Sequence, residues 1–272
     1  MIAKTKPAPK KKKTPRILKG PKPQPAESGA DRGRPAALIT GGAKGIGRAI
    51  AIALAEDGYN IGIVTRRSTK EAVSVLAECD NFGVRSHCWV ADLTDVEAAE
   101  KVVAEFQQHF KRWEVLINNV GDYWHGDVLR MKIDILRSIF QSNFSVASRL
   151  SLLAIKAMRR RKTGRIVNIG YVFADRLQAN PRVAAYQAAK TALLSFTSSL
   201  AKPAIKHGIT INTVSPGIHH ITVDPPERPE MVIPAGRYSS DEDIVGAVRY
   251  FISPVARYVT GSHLKVSGGY GV

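Results

Sequence analysis

The chain has 272 residues, 44% of them hydrophobic, and a formal net charge of +17. That length and apolar content suit one α/β domain with a sizeable core, and no apolar run is long enough to span a membrane or act as a secretory signal. Two cysteines, Cys79 and Cys88, are too few for a disulfide framework and lack zinc spacing, so a reducing, cytoplasmic setting is expected.

The charge is uneven. Residues 1–35 hold eleven Lys/Arg against two acids, a net +9 in about one-eighth of the length. This Lys- and Pro-rich arm has almost no apolar residues, so it is expected to stay disordered, with the domain running over residues 36–272. Lys10-Lys11-Lys12-Lys13 suits an acidic partner, nucleic acid or a membrane surface. The plain alternative is a solubilising tail or a mis-assigned start.

Ala36 to Thr40 reads as a short buried strand running into Gly41-Gly42-Ala43-Lys44-Gly45-Ile46-Gly47, and an apolar helix follows from Arg48 to Asp57. Strand, glycine turn and helix in that order suggest a dinucleotide site. Glycines let the backbone approach a pyrophosphate, and the helix N-terminus offers free N–H groups. A second strand, Asn60 to Thr65, ends in Arg66-Arg67. An acid at that place reads a ribose 2′-OH, whereas arginine accommodates a 2′-phosphate. Two arginines, with Lys44 nearby, therefore favour NADP(H) over NAD(H); a solvated basic turn is the bland alternative.

Helix Thr69–Asn81, strand Val84–Ala91 and helix Thr94–His109 continue the alternation, with Asp92 placed to accept from an adenine amino group. Strand 115–117 ends in Asn118-Asn119-Val120-Gly121. One long helix is predicted from Lys132 to Arg160, with Asn143 near its middle, then a strand over 165–170. Val183 to Ala201, rich in Ala and Leu, is predicted as helix and carries Tyr186 and Lys190 one turn apart on one face. A lysine there favours the phenolate and is expected to lower the Tyr186 pKa, suiting it to move protons at a carbonyl or alcohol oxygen. Strand 209–214 then leads to Ser215-Pro216-Gly217, followed by a Pro-rich loop, a helix over 241–251 and a last strand, 263–266. Such alternation calls for a parallel sheet covered on both faces, with ligands bound beyond the carboxyl ends of the strands.

Taken together these residues resemble the short-chain dehydrogenase/reductase family over about 36–269. Thr40-Gly41-x-x-x-Gly45-x-Gly47 resembles its cofactor loop, and Asn118-Asn119-Val120-Gly121 its Asn-Asn-Ala-Gly element. Tyr186-x-x-x-Lys190 resembles its catalytic pair. Asn212-x-Val214-x-Pro216-Gly217, 233–237 and 259–269 look like the 3-oxoacyl-carrier-protein reductase branch.

The resemblance implies a Rossmann-type doubly wound parallel sheet of about seven strands and NADPH-dependent reduction of a carbonyl or acyl-thioester substrate. Tyr186 would donate the proton, and Lys190 would hold the nicotinamide ribose. Asn143 would position a water, and Asn118 would help fix the cofactor. Gly41, Gly45, Ile46 and Gly47 would line the phosphates, with Lys44, Arg66 and Arg67 near the 2′-phosphate and Asp92 and Leu93 at the adenine. Val120, Gly121, Pro216 and Gly217 would complete the cofactor site, in a homotetramer or dimer formed through the Asn143 and Tyr186 helices.

One position departs from the pattern. The family's Ser after the fifth strand is replaced by Tyr171, and no Ser or Thr lies between Gly170 and Tyr186. Tyr171 supplies the missing hydroxyl, or Asp175 reaches in as in pteridine reductases, or the oxyanion contact is lost, leaving a binding protein with little turnover. The loop from Gly217 to Pro234 is short and Pro-rich, with Ile221 where a Thr commonly stands, a further likeness to pteridine reductases. His219-His220 are read as loop residues and no metal site is expected, because adjacent side chains diverge and no third ligand is in view.

Overall fold

The computed structural model describes residues 16–18, 33–222 and 225–272. The strands are β1 (Arg16–Leu18), β2 (Ala36–Thr40), β3 (Asn60–Thr65), β4 (Ser86–Val90), β5 (Trp113–Asn118), β6 (Gly164–Ile169), β7 (Ile209–Pro216) and β8 (His263–Val266). They form one sheet in the order β1-β4-β3-β2-β5-β6-β7-β8. The seven strands β2 to β8 run parallel, as alternation with helices requires. This is the expected doubly wound Rossmann-type α/β fold.

The helices are α1 (Gly45–Glu56), α2 (Thr69–Asp80), α3 (Val96–His109), α4 (Ile133–Phe140), α5 (Val146–Met158), α6 (Ala184–Ala204) and α7 (Asp241–Ile252). Strand side chains alternate between the two faces, and the core divides accordingly. Ala37 and Ile39 of β2 and Val115 and Ile117 of β5 pack with Ile50, Leu54, Val75 and Phe251 of α1, α2 and α7. Ala36, Leu38 and Leu116 pack on the other face with Phe106, Leu150 and Ala201 of α3, α5 and α6. Leu38, Ile39, Ile61, Ile63 and Leu116 are fully buried, each worth about 1.5–3 kcal/mol by area. Gly62 is dictated by this packing, since a Cβ there would lie 2.6 Å from the Phe106 ring.

Two expectations are corrected. The arm was read as wholly unordered, but its residues 16–18 pair antiparallel with β4, Arg16 opposite Val90. Backbone pairing at a sheet edge needs no apolar side chains, so composition does not reveal it. The rest of the arm up to residue 32, including Lys10–Lys13, lies outside the described residues. The single helix predicted over 132–160 is interrupted by a π-helical turn at Gln141–Ser145. There Ser142 Oγ donates to Ser138 O (2.9 Å) and Asn143 Nδ2 to Ile139 O (3.1 Å). Side chains bonding back four residues compete for carbonyls of the helical ladder, and π-turns of this kind cluster at functional sites.

Candidate active site

Thr40 ends β2 at the point where the sheet order reverses, β3 on one side and β5 on the other. Its hydroxyl accepts from the backbone N–H of Asn119 (2.9 Å) and of Val120 (3.0 Å), clamping the β5 loop to the glycine loop. Asn119 Nδ2 returns a bond to Thr40 O (3.0 Å). Gly41 and Gly45 have φ of 66° and 52°, the left-handed region that glycine adopts without strain. Gly47 answers to space instead: a Cβ would lie 2.4 Å from Gly41 O.

Beside this loop lies a cleft of ≈ 270 Å³, lined by Gly41, Thr65, Arg66, Asp92, Leu93, Asn119, Val120, Gly121, Asp122 and Ser142, among others. Six of the residues singled out from sequence thus meet in one space: Gly41, Arg66, Asp92, Leu93, Val120 and Gly121. The donor set fits a phosphorylated dinucleotide. Lys44 stands at the N-cap of α1, makes no side-chain cap, and no acid follows in the first turn, leaving the helix end suited to an anion. Arg66 pairs with Asp122 at 3.4 Å and Lys44 with Glu71 at 2.6 Å, both at the surface. Arg67 is exposed beside them. Asp92 accepts from the Thr94 hydroxyl (2.7 Å) and N–H (3.0 Å), which fixes its carboxylate at the cleft wall. Ile46 lies in the first turn of α1, packed toward the core.

Asn118 does not line this cleft. Its amide donates to Asn168 Oδ1 (2.8 Å) and Ser151 Oγ (3.1 Å), and Asn168 donates to Thr197 Oγ1 (2.8 Å). This buried polar chain ties β5 and β6 to α5 and α6, so the Asn118 amide fixes the strand end from which the β5 loop leaves. Its neighbour Asn119, quoted in the same motif but given no role, faces the cleft. Asn143 is likewise fully buried, and Nδ2 donates to Asp122 O (2.8 Å). Its amide braces the β5 loop, and a Cβ on Gly121 would meet Asn143 Oδ1. Its Nδ2 contacts are those of a brace, while Oδ1 makes no hydrogen bond among the described residues. Pro216 ends β7, and Gly217 donates to Val266 O (2.9 Å), joining the β7 and β8 ends.

Tyr186 lies in the first turn of α6 and Lys190 one turn on. The Lys190 ammonium, 5.7 Å from the Tyr186 ring centroid, donates to Ile169 O at 2.7 Å. Burial pulls the Lys190 pKa down to about 8. The expected depression at Tyr186 is not seen. Burial, then Tyr171 and Tyr123, push its pKa above the usual phenol value, so the proton is held firmly. The Tyr123 and Tyr171 rings meet Tyr186 near edge-on, with centroids 5.1 and 5.3 Å away. Burial, then Tyr270 and Tyr123, also raise the Tyr171 pKa. Tyr123 comes from the loop after β5 and carried no sequence signal, because nothing local marks a loop tyrosine as a neighbour of α6.

Asp175 is engaged elsewhere than at Tyr186: it pairs with Lys265 (2.7 Å) and with His263 (3.7 Å). Although partial burial works against it, the Lys265 bond holds its carboxyl below the ordinary range. His263 Nε2 in turn meets Ser215 Oγ at 2.7 Å. The His219 and His220 rings also lie together, with centroids at 4.1 Å, and Asp241 of α7 completes a third potential metal ligand. The reading that these side chains diverge with no third ligand is therefore corrected. His219 Nε2 and Asp241 Oδ1 are both buried without a hydrogen-bond partner among the described residues. His219 Nδ1 accepts from Ile221 N–H (3.4 Å), which puts the ring proton on Nε2, facing Asp241 Oδ1 at 3.4 Å.

Residues 35–230 match the family model described as short chain dehydrogenase. The chain is 34% identical over 240 residues to the 3-oxoacyl-[acyl-carrier-protein] reductase of Escherichia coli K12, covering 86% of this chain and 96% of that one. It is 31% identical to the corresponding Staphylococcus aureus reductase over 239 residues, 86% of this chain and 96% of the relative. Among solved structures, acetoin dehydrogenase YohF of Salmonella typhimurium superposes with a TM-score of 0.80 at 31% identity, covering 87% of this chain and 96% of its own. An actinorhodin polyketide ketoreductase solved with NADPH gives 0.81 at 27% identity, covering 88% and 98%.

Proposed function

The chain belongs to the short-chain dehydrogenase family, and from that premise we propose that it reduces a carbonyl substrate to an alcohol with NADPH, in the manner of a 3-oxoacyl reductase. It is an oxidoreductase acting on CH–OH/C=O groups. The observation that carries the finer reading is the Tyr186–Lys190 turn, whose lysine bonds Ile169 O at the carboxyl end of β6, with the cleft that holds Arg66 and Asp92 at the carboxyl ends of neighbouring strands.

NADPH supplies the hydride to the carbonyl carbon when bound. Gly41, Gly45, Ile46 and Gly47 would hold its diphosphate, Lys44, Arg66 and Arg67 its 2′-phosphate, and Asp92 and Leu93 its adenine. Val120, Gly121, Pro216 and Gly217 would border the nicotinamide. Tyr186 gives its proton to the substrate oxygen as negative charge develops there. Burial holds the proton on Tyr186, and charge on Lys190 together with the developing negative charge on the substrate oxygen would favour its release. Lys190, mostly charged at pH 7 with a pKa of about 8, would hold the nicotinamide ribose and favour charge on the nearby oxygens. Asn143 positions the β5 loop, and Tyr171 is the hydroxyl-bearing residue at the place where the family usually has Ser.

The enzyme is read as cytoplasmic and as a homotetramer or dimer joined through α5 and α6, with the basic arm available to an acidic partner. No helix among the described residues is long and apolar enough to cross a membrane. The test is NADPH oxidation against acetoacetyl-CoA and a simple diketone. Wild type is expected to turn over at least one, and Tyr186→Phe to lose roughly 10²–10⁴ of the rate while still binding NADPH. Protein that neither binds nor oxidises NADPH overturns the reading.

A further inference from the structure

We infer that Tyr171 and Tyr123 make the substrate site an aromatic slot that selects flat, conjugated ketones over flexible 3-oxoacyl thioesters. This rests on the reductase reading above and narrows its substrate class. Where a small hydroxyl residue usually stands, this chain places a phenol ring beside Tyr186, at 5.3 Å and 70°. A second ring, Tyr123, meets the same tyrosine from a different loop, at 5.1 Å and 81°. Tyr123 is half exposed, and Tyr171 partly so.

The Tyr171 wall is also fixed in place. Phe173 packs against Tyr171 at 5.4 Å, and Tyr270 against Phe173 at 5.2 Å. The chain end closes behind them: Gly271, with φ of 73°, lies so near that a Cβ would be 2.9 Å from Val172 and 3.0 Å from Phe173. Lys265 holds both sides of this arrangement, pairing with Asp175 at 2.7 Å and donating to Gly271 O at 3.2 Å. For the Tyr171 ring to swing aside, this aromatic row and the Lys265 tie must yield together.

Rings recognise π faces. Offset or edge contacts with a flat conjugated ketone gain attraction beyond burial, about two- to tenfold in affinity per ring, which a saturated chain does not share. A bulky ring in the place of Ser also narrows the space for a flexible thioester arm. The Tyr171 hydroxyl adds a donor near the reacting oxygen, but the selection comes from the ring.

The experiment compares kcat/KM for isatin, a flat bicyclic ketone, with the acetoacetyl thioester of N-acetylcysteamine. It uses wild type, Tyr171→Ser, Tyr171→Phe and Tyr123→Leu, with melting temperature and NADPH affinity measured to show that each variant folds. Wild type is expected to favour isatin at least tenfold. Tyr171→Ser should lower that ratio about tenfold, chiefly through a higher KM for isatin, and Tyr123→Leu severalfold. Tyr171→Phe should keep the ratio while lowering kcat for both. A wild type that favours the thioester, or a Phe variant that behaves like Ser, overturns the slot and leaves the reductase intact. No carbonyl turnover despite bound NADPH overturns both.

Discussion

Around the glycine loop short polar side chains and close-packed glycines engage backbone groups. The Thr40 hydroxyl takes two N–H groups of the β5 loop, Asn119 returns to a carbonyl, and Gly47 is defined by its distance to Gly41 O. Around Tyr186 the contacts are made by rings from separate segments: Tyr123 after β5, Tyr171 after β6 and, behind it, Tyr270 near the chain end. The contrast teaches that the cofactor half answers to a ligand shared by many relatives, so a short motif suffices. The substrate half answers to this chain's own chemistry and is assembled from distant residues.

The largest effect that tests this contrast is expected at Gly47. Gly47→Ala puts a methyl 2.4 Å from a backbone carbonyl that has no rotamer to escape through, so NADPH affinity and thermal stability should fall together. Measured by fluorescence titration and calorimetry, unchanged affinity would mean that the glycine cradle is looser than drawn. Next, Arg66→Ala together with Arg67→Ala should cut NADPH affinity about 10²–10⁴-fold while sparing NADH, since each of the two charged hydrogen bonds to phosphate is worth about 1.5–3 kcal/mol. Equal losses for both cofactors would move the phosphate site elsewhere.

The pH dependence should separate the halves again. Lys190 is charged below its pKa of about 8, so turnover should decline as pH rises through that value while NADPH binding at the arginines persists. The same depression runs the other way in stability. Below about 8 the buried charge carries its full penalty, which is relieved as pH rises toward the unfolded value of roughly 10.4. Activity asks for the charge that burial opposes. A flat pH–rate profile between 7 and 9 would remove Lys190 from the mechanism. The smallest effect is expected far from both halves: Asp95→Ala removes the cap that accepts from Glu97 and Ala98 N–H, at a cost of about 1 kcal/mol in chemical denaturation with kcat unchanged.

Much of the fold was legible because each parallel strand is a short apolar run followed by a helix. Asn60–Thr65 and His263–Val266 appear with the very bounds expected. The π-turn at Gln141–Ser145 was not legible, because Ser and Asn in a helical pattern do not announce whether their side chains will bond back to the preceding turn. Asn118 and Asn119 make the same point at the site. Adjacent in sequence and alike in chemistry, they face opposite ways, and only the strand pleat decides which one meets the cleft.

By itself, then, the sequence determined the order of strands and helices, the glycine turn, the basic end of β3 and the Tyr186–Lys190 turn, because each is written within a few residues where spacing and geometry are tied. Tertiary structure alone decided that Tyr123 and Tyr171 flank Tyr186, that Asp175 is held by Lys265, and that Asp241 sits beside His219. Those contacts join residues far apart in the chain, and their partners are chosen by how loops pack at the end of the sheet, which no local pattern encodes.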